Sequence, residues 1–299
     1  MSWEWPKTDR AGLARYVLRD AAKSFELGIS RNDLSQDANG RRMLVDAIYS
    51  SLQREQIHYA LEKYNSDDAV QLVRTPSEIL AQKEGTCLDL ALLFCGVCLG
   101  YELLPLMILI EGHALAAVSL NYDLRTKGAL DRKERRYFRD AILIEADALR
   151  QLVSGGAYLA VECTGFAQSK NLPTTHPEGV ERDFRGMLHF PRAVMAGAEQ
   201  LTVADRPFVF ALDIAATHDL GYKVKADESA TSAPLQQPTT KVVLGKNLAA
   251  KDTKLKEAVG IKGEAPDGAE VDLLNGADLQ GVEIDSLIGI NNTKPAEKK

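Results

Sequence analysis

Glu84-Gly85-Thr86-Cys87-Leu88-Asp89-Leu90-Ala91-Leu92-Leu93-Phe94-Cys95-Gly96-Val97-Cys98-Leu99-Gly100 is the stretch from which the rest of this 299-residue chain is read. Gly85 allows a sharp turn, Thr86 is a favoured N-cap residue, and Asp89 stands three residues later as the return half of a capping box. The apolar run that follows predicts a buried helix beginning at Cys87 and ending at Gly100, where a glycine C-cap is expected. A thiol in a first helical turn meets the positive end of the helix dipole and amides with no acceptor inside the helix. An unassisted cysteine is only ~3% thiolate at pH 7, so a cysteine nucleophile needs that help and a base as well.

The base is sought downstream. Leu104-Pro105-Leu106-Met107-Ile108-Leu109-Ile110 and the run from His113 to Leu120 read as two strands broken by Glu111-Gly112, which places His113 at a sheet rim. A third strand, Tyr158-Leu159-Ala160-Val161-Glu162-Cys163-Thr164, carries Glu162 near its end, an acceptor for the second ring N–H of an imidazole. Asp147 and Glu145 are alternative acceptors, and His176, in a proline-bearing loop, is a second candidate base. His58, in a short strand at Ile57-His58-Tyr59-Ala60, reads as structural. An oxyanion hole needs a donor besides the Cys87 amide, and Gln71 and Gln82 are the upstream candidates.

This order of elements resembles the transglutaminase-like cysteine protease superfamily, part of the papain-like fold group, over about residues 42 to 222. The resemblance rests on Thr75-Pro76-Ser77-Glu78-Ile79-Leu80 ahead of Gly85-x-Cys87-x-Asp89, then Gly112-His113, then Glu162-x-Thr164. It departs from the family pattern in two places: Glu162 stands where Asp is common, and Leu115 where an aromatic often follows the histidine. It implies an α+β fold in which a central helix carrying the cysteine packs on an antiparallel sheet. It also implies a catalytic set of Cys87, His113 and Glu162 acting without metal or organic cofactor.

A zinc site built from Cys87, Cys95, Cys98 and His113 is argued against by distance. In one helix Cys87 and Cys98 are eleven residues, about 16 Å, apart along the axis, too far to share an ion bound at about 2.3 Å. Cys95 and Cys98 lie within an apolar run and read as core, and four cysteines without a framework point to a reducing compartment. A net charge of −6 with no basic stripe argues against nucleic acid and anionic membranes as partners. No run approaches the ~18 apolar residues that span a bilayer, and Met1-Ser2-Trp3-Glu4-Trp5-Pro6 lacks a signal-peptide layout. A cytoplasmic protein is expected.

Four regions follow. Residues 1–40 form a partly helical lead-in whose Leu13, Tyr16, Val17 and Ala21 are placed to pack on the next domain. Residues 41–222 are the catalytic domain, opening with an amphipathic helix through Leu44, Ile48 and Leu52. Within it, the charged stretch Arg125 to Asp140 reads as a solvated insertion or hairpin tip. Residues 223–240 are a linker rich in Ser, Thr, Ala, Gln and Pro; residues 241–299 lack aromatic residues and carry short apolar pieces punctuated by Gly and Asn. These pieces suggest small strands in a flexible appendage, or a peptide that adds strands to a protein partner. The function expected is thiol acyl chemistry on a protein or peptide substrate, as a cysteine peptidase. The alternative is a non-catalytic module that recruits partners through its cleft and tail.

Overall fold

The computed structural model describes residues 2–25, 27, 37–61, 69–169, 182–202 and 206–227, together with six short strands farther on. The chain divides into two units, Met1–Ser232 and Ala233–Lys299.

In the first unit, β1 (Trp3–Pro6) precedes two 3-10 turns at Ala11–Tyr16 and Arg19–Ser24. Helix α1 (Ala38–Arg54) starts where the Asp37 carboxylate accepts the Gly40 N–H at 2.7 Å, satisfying one otherwise orphaned amide. After β2 (His58–Tyr59) and β3 (Val70–Val73), α2 (Pro76–Gln82) opens with Pro76 in its first turn and a reciprocal capping box between Thr75 and Glu78. Two-residue β4 (Glu84–Gly85) runs into α3 (Cys87–Gly100), the helix read from the sequence. The remaining elements are β5 (Leu103–Ile110), β6 (His113–Asp123), β7 (Ile142–Leu143), α4 (Ala146–Ser154), β8 (Tyr158–Val161), α5 (Phe190–Gln200), β9 (Phe208–Asp213) and α6 (Ile214–Asp219).

Five antiparallel strands make the central sheet, in the order β7-β9-β5-β6-β8. β5 and β6 form its hairpin, with Ile110 opposite His113 across Glu111-Gly112; Gly112 has φ 71°, a conformation that costs glycine little. Alternation sorts the side chains. Leu106, Ile108, Leu115 and Ala117 pack with Leu149 and Leu152 of α4, whereas Met107, Ala114, Ala116 and Val118 join the cluster around α3. Both faces are therefore covered, which is why these strands read as unbroken apolar runs rather than alternating ones.

Helix α3 is apolar all round because it is enclosed all round: every residue from Leu88 to Leu99 is buried. One expectation about its end is corrected. Gly100 is the last helical residue, the C-cap is Tyr101 at φ −87°, and the left-handed conformation falls on Glu102 at φ 63°. Gly100 serves close packing instead. A Cβ there would collide with Ala22 and the Arg19 carbonyl, and one at Gly96 would lie 2.6 Å from the Leu18 carbonyl oxygen. The two glycines, one turn apart, make the flat strip on which the Arg19–Ser24 turn crosses the helix. Leu13, Tyr16, Val17 and Ala21 of the lead-in are buried in the main core.

The charged stretch is also corrected. It folds into turns at Ala129–Asp131 and Lys133–Tyr137, and both Arg132 and Glu134 are buried. Arg132 donates to the Asp213 carboxylate and, at 2.9 Å, to the Tyr158 hydroxyl, so a buried ion pair ties this segment to β8 and β9. At the end of the described core, Lys225 N–H donates to the Arg15 carbonyl at 2.8 Å. The rest of the expected linker, from residue 228 to 240, lies outside the described residues.

The second unit contains β10 (Val242–Leu244), β11 (Lys254–Leu255), β12 (Ala258–Ile261), β13 (Val271–Leu273), β14 (Glu283–Ile284) and β15 (Leu287–Ile290). They form three parallel pairs, β10 with β13, β11 with β14 and β12 with β15. Among the described residues no helix is long and apolar enough to cross a membrane.

Candidate active site

Cys87 is placed by chemistry within a few residues of itself. Thr86 Oγ1 accepts the Asp89 N–H at 3.3 Å, and an Asp89 carboxylate oxygen accepts the Thr86 N–H at 2.9 Å, a complete capping box. Asp89 is fully buried and takes two more bonds, from the Arg74 backbone N–H at 2.8 Å and the Arg74 guanidinium at 2.9 Å. The turn ahead of Cys87 is thereby fixed in itself and anchored to the link between β3 and α2. Cys87 is half-buried, whereas Cys95, Cys98 and Cys163 are buried free thiols, each pushed up in pKa by burial.

His113 opens β6 opposite Ile110, at the rim of the sheet facing the start of α3. Its Nε2 lies 2.8 Å from Glu162 Oε2. A carboxylate only accepts, so Nε2 carries the hydrogen, and Nδ1 is the ring nitrogen left to face the Cys87 thiol, which lines the same cavity as His113. Burial opposes charge on His113, but the Glu162 carboxylate and the Cys87 contact prevail and raise its pKa to about 10.

Glu162 is held by parts of the chain far from one another. The strand expected to run to Thr164 stops at Val161, and Glu162 instead caps a 3-10 turn over Cys163–Phe166; it is fully buried there, and its Oε1 accepts the Thr164 N–H at 3.0 Å and the Thr164 hydroxyl at 2.8 Å. Its own N–H donates to the Ala193 carbonyl of α5 at 3.0 Å, and Gln200 from the same helix reaches Oε2 at 3.5 Å. Gly197 lets α5 come this close: a Cβ there would sit 2.7 Å from the Val161 nitrogen and 3.0 Å from the Glu162 nitrogen. Glu145 and Asp147, the alternative acceptors, are exposed at the start of α4, where Asp147 pairs with Arg150 at 2.6 Å.

A cavity of ≈ 200 Å³ opens over Cys87 and His113, with Trp5, Tyr59, Gln71 and Phe210 among its walls. Of the two upstream glutamines, Gln71 lies in this wall, on β3 opposite Trp5, while Gln82 is exposed at the end of α2. His176 lies outside the described residues. His58 is exposed on β2. Among the described residues no group of three or more His, Cys, Asp or Glu is arranged to hold a metal ion.

Two members of the site were not singled out from the sequence. Tyr59 lines the cavity beside Cys87, and its pKa is raised by burial first and by Cys87 and Glu162 after that. Its position depends on β2 pairing in parallel with β4, Tyr59 opposite Gly85, a contact between distant segments with no local signal. Gln200 is the second; the pattern of α5 announces a buried face at Phe190, Ala193 and Ala196 but gives no sign of a polar residue aimed at a carboxylate.

Helix-borne cysteine, strand-borne histidine and buried carboxylate define a class of site, one suited to thiol chemistry. Residues 45–126, which run from within α1 to just past β6 and contain Cys87 and His113, match the family described as a transglutaminase-like domain. The first unit is a mixed α+β fold, and the part of it that resembles a transglutaminase-like domain is residues 45–126. Comparison with curated proteins and with solved structures gave no match.

Proposed function

We propose that the Met1–Ser232 unit is a cysteine peptidase of the transglutaminase-like type, cleaving peptide or side-chain amides with Cys87, His113 and Glu162 as its catalytic triad. The observation that carries this is the position of His113, whose Nε2 lies 2.8 Å from Glu162 Oε2 and which lines one cavity together with Cys87. In the reaction the Cys87 sulfur bonds to the amide carbon while His113 holds the thiol proton. The Cys87 backbone N–H, aided by Gln71 from the cavity wall, stabilises the oxyanion. Collapse breaks the C–N bond as His113 passes its proton to the leaving amine, leaving a thioester. Water then gives a proton to His113 and its oxygen to the carbonyl, releasing the acid and the free thiol. Glu162 stays ionised and holds the imidazolium in place. An amine in place of water would give acyl transfer by the same steps.

The cavity walls, Trp5, Leu109 and Phe210 with Lys7 and Arg10, favour a substrate that puts an apolar side chain beside the scissile carbonyl. Four free thiols accord with a reducing, cytoplasmic setting. The test is incubation of the full chain with a quenched-fluorescent peptide library and intact-mass detection of the acyl-enzyme. Turnover and a Cys87-linked adduct are expected, both lost in Cys87→Ser by a factor on the order of 10³ or more. Cellular or partner-binding effects that survive both Cys87→Ser and His113→Ala would replace this reading with that of a recruiting module.

A further inference from the structure

The second unit carries a pattern unrelated to the thiol site. Each of its three pairings joins a strand to the one standing 29 positions later: Val242 lies opposite Val271, Lys254 opposite Glu283, and Ala258 opposite Leu287. One constant separation across three pairs makes residues 241–269 and 270–298 two copies of a single repeat, with like strands paired in register. The sequence agrees. Val242-Val243-Leu244 corresponds to Val271-Asp272-Leu273, Val259-Gly260-Ile261 to Ile288-Gly289-Ile290, and Pro266 to Pro295.

A strand in a two-stranded parallel sheet satisfies backbone groups along one edge and offers the others along its far edge. What fits such an edge is shown by the pairing itself: another copy of the repeat, parallel and in register. Charge fixes the order. The first repeat holds six Lys against four Asp and Glu, the second six Asp and Glu against two Lys. Lys254 faces Glu283 in the register, and Lys241 and Lys256 stand 29 positions before Glu270 and Asp285. A basic repeat is therefore complemented by an acidic one, while two like repeats side by side would repel. The far edge of the acidic repeat's strands, unpaired among the described residues, suits the basic repeat of a second chain, a head-to-tail contact that does not close on itself.

We infer that the Ala233–Lys299 unit stacks with the same unit of further copies of this chain, the second repeat of one adding in parallel to the first repeat of the next. The product is a cross-β column of alternating basic and acidic turns, in which Lys254 and Glu283 alternate along one line.

Sedimentation velocity of the full chain over a range of concentrations tests this. Wild-type protein is expected to form a concentration-dependent series of large species. Lys254→Glu, which makes that line entirely acidic, should reduce assembly at least tenfold, and the exchanged pair Lys254→Glu with Glu283→Lys should restore it. A spin label on Val259→Cys in a Cys87→Ser background gives a second readout: like positions in the column recur at every second strand, ~10 Å apart, and should show dipolar broadening. A chain that stays monomeric without broadening, or assembly indifferent to Lys254→Glu, would overturn the inference.

Discussion

The two halves of the thiol site are built in opposite ways. On the Cys87 side, four residues from Thr86 to Asp89 close their own capping box, and one buried aspartate carries the connection to Arg74. On the Glu162 side, the carboxylate depends on β6 for His113, on the following turn for Thr164, and on α5 for Ala193, Gly197 and Gln200. The cysteine is set by local hydrogen bonding and the carboxylate by tertiary packing. The first half should therefore tolerate the loss of one bond, and the second should fail when its packing shifts.

The largest effect that would sharpen this contrast is expected from Glu162→Gln. It keeps the side-chain length but removes the charge that supports the imidazolium, so kcat/KM should fall on the order of 10²-fold or more with the fold intact. The same variant checks the pH dependence of stability. The folded-state pKa of His113 is raised to about 10, above the ordinary ~6.5, so the native protein keeps a proton that the unfolded chain has released. That contribution is complete below ~6.5 and is lost as pH rises toward about 10, giving a Tm that declines across the window. In Glu162→Gln the decline should flatten, as read by calorimetry at a series of pH values.

Gly197→Ala comes next. The added methyl meets backbone atoms of Val161 and Glu162, which have no rotamer to yield, so α5 must move off β8. A stability loss of about 1–3 kcal/mol in chemical denaturation is expected, together with a fall in activity larger than that from any change to the Cys87 cap. Thr86→Ala should have the smallest effect. It removes one cap acceptor, about 1 kcal/mol of stability, while Asp89 still accepts from residue 86 and from Arg74 and holds the helix start. Equal losses of activity in Thr86→Ala and Gly197→Ala would erase the contrast.

The same division explains what the sequence revealed. Cys87, the extent of α3, the β5–β6 hairpin and the start of β8 are legible because cap residues, a Glu-Gly turn and apolar runs are local signals, whereas the 3-10 turn after Val161 is not. Tyr59, Gln200 and the buried Arg132–Asp213 pair were not, since each is defined by segments that meet only in the folded chain. Gly100 was read as a helix cap from its position, although packing against the lead-in is what requires it. The repeat in residues 241–298 escaped for another reason: its two copies share few identities, chiefly Val242 with Val271, Leu244 with Leu273, Gly260 with Gly289, Ile261 with Ile290 and Pro266 with Pro295. Only the constant strand separation makes them stand out.

The central claim is that His113 activates Cys87. It is tested most directly by the rate of Cys87 alkylation at neutral pH, followed peptide by peptide by mass spectrometry, in the wild type and in His113→Ala. Burial of the other three thiols leaves Cys87 as the accessible one. The account expects rapid alkylation confined to Cys87 in the wild type, and a rate lower by a factor on the order of 10² in the variant. Equal rates in two equally folded proteins would contradict it.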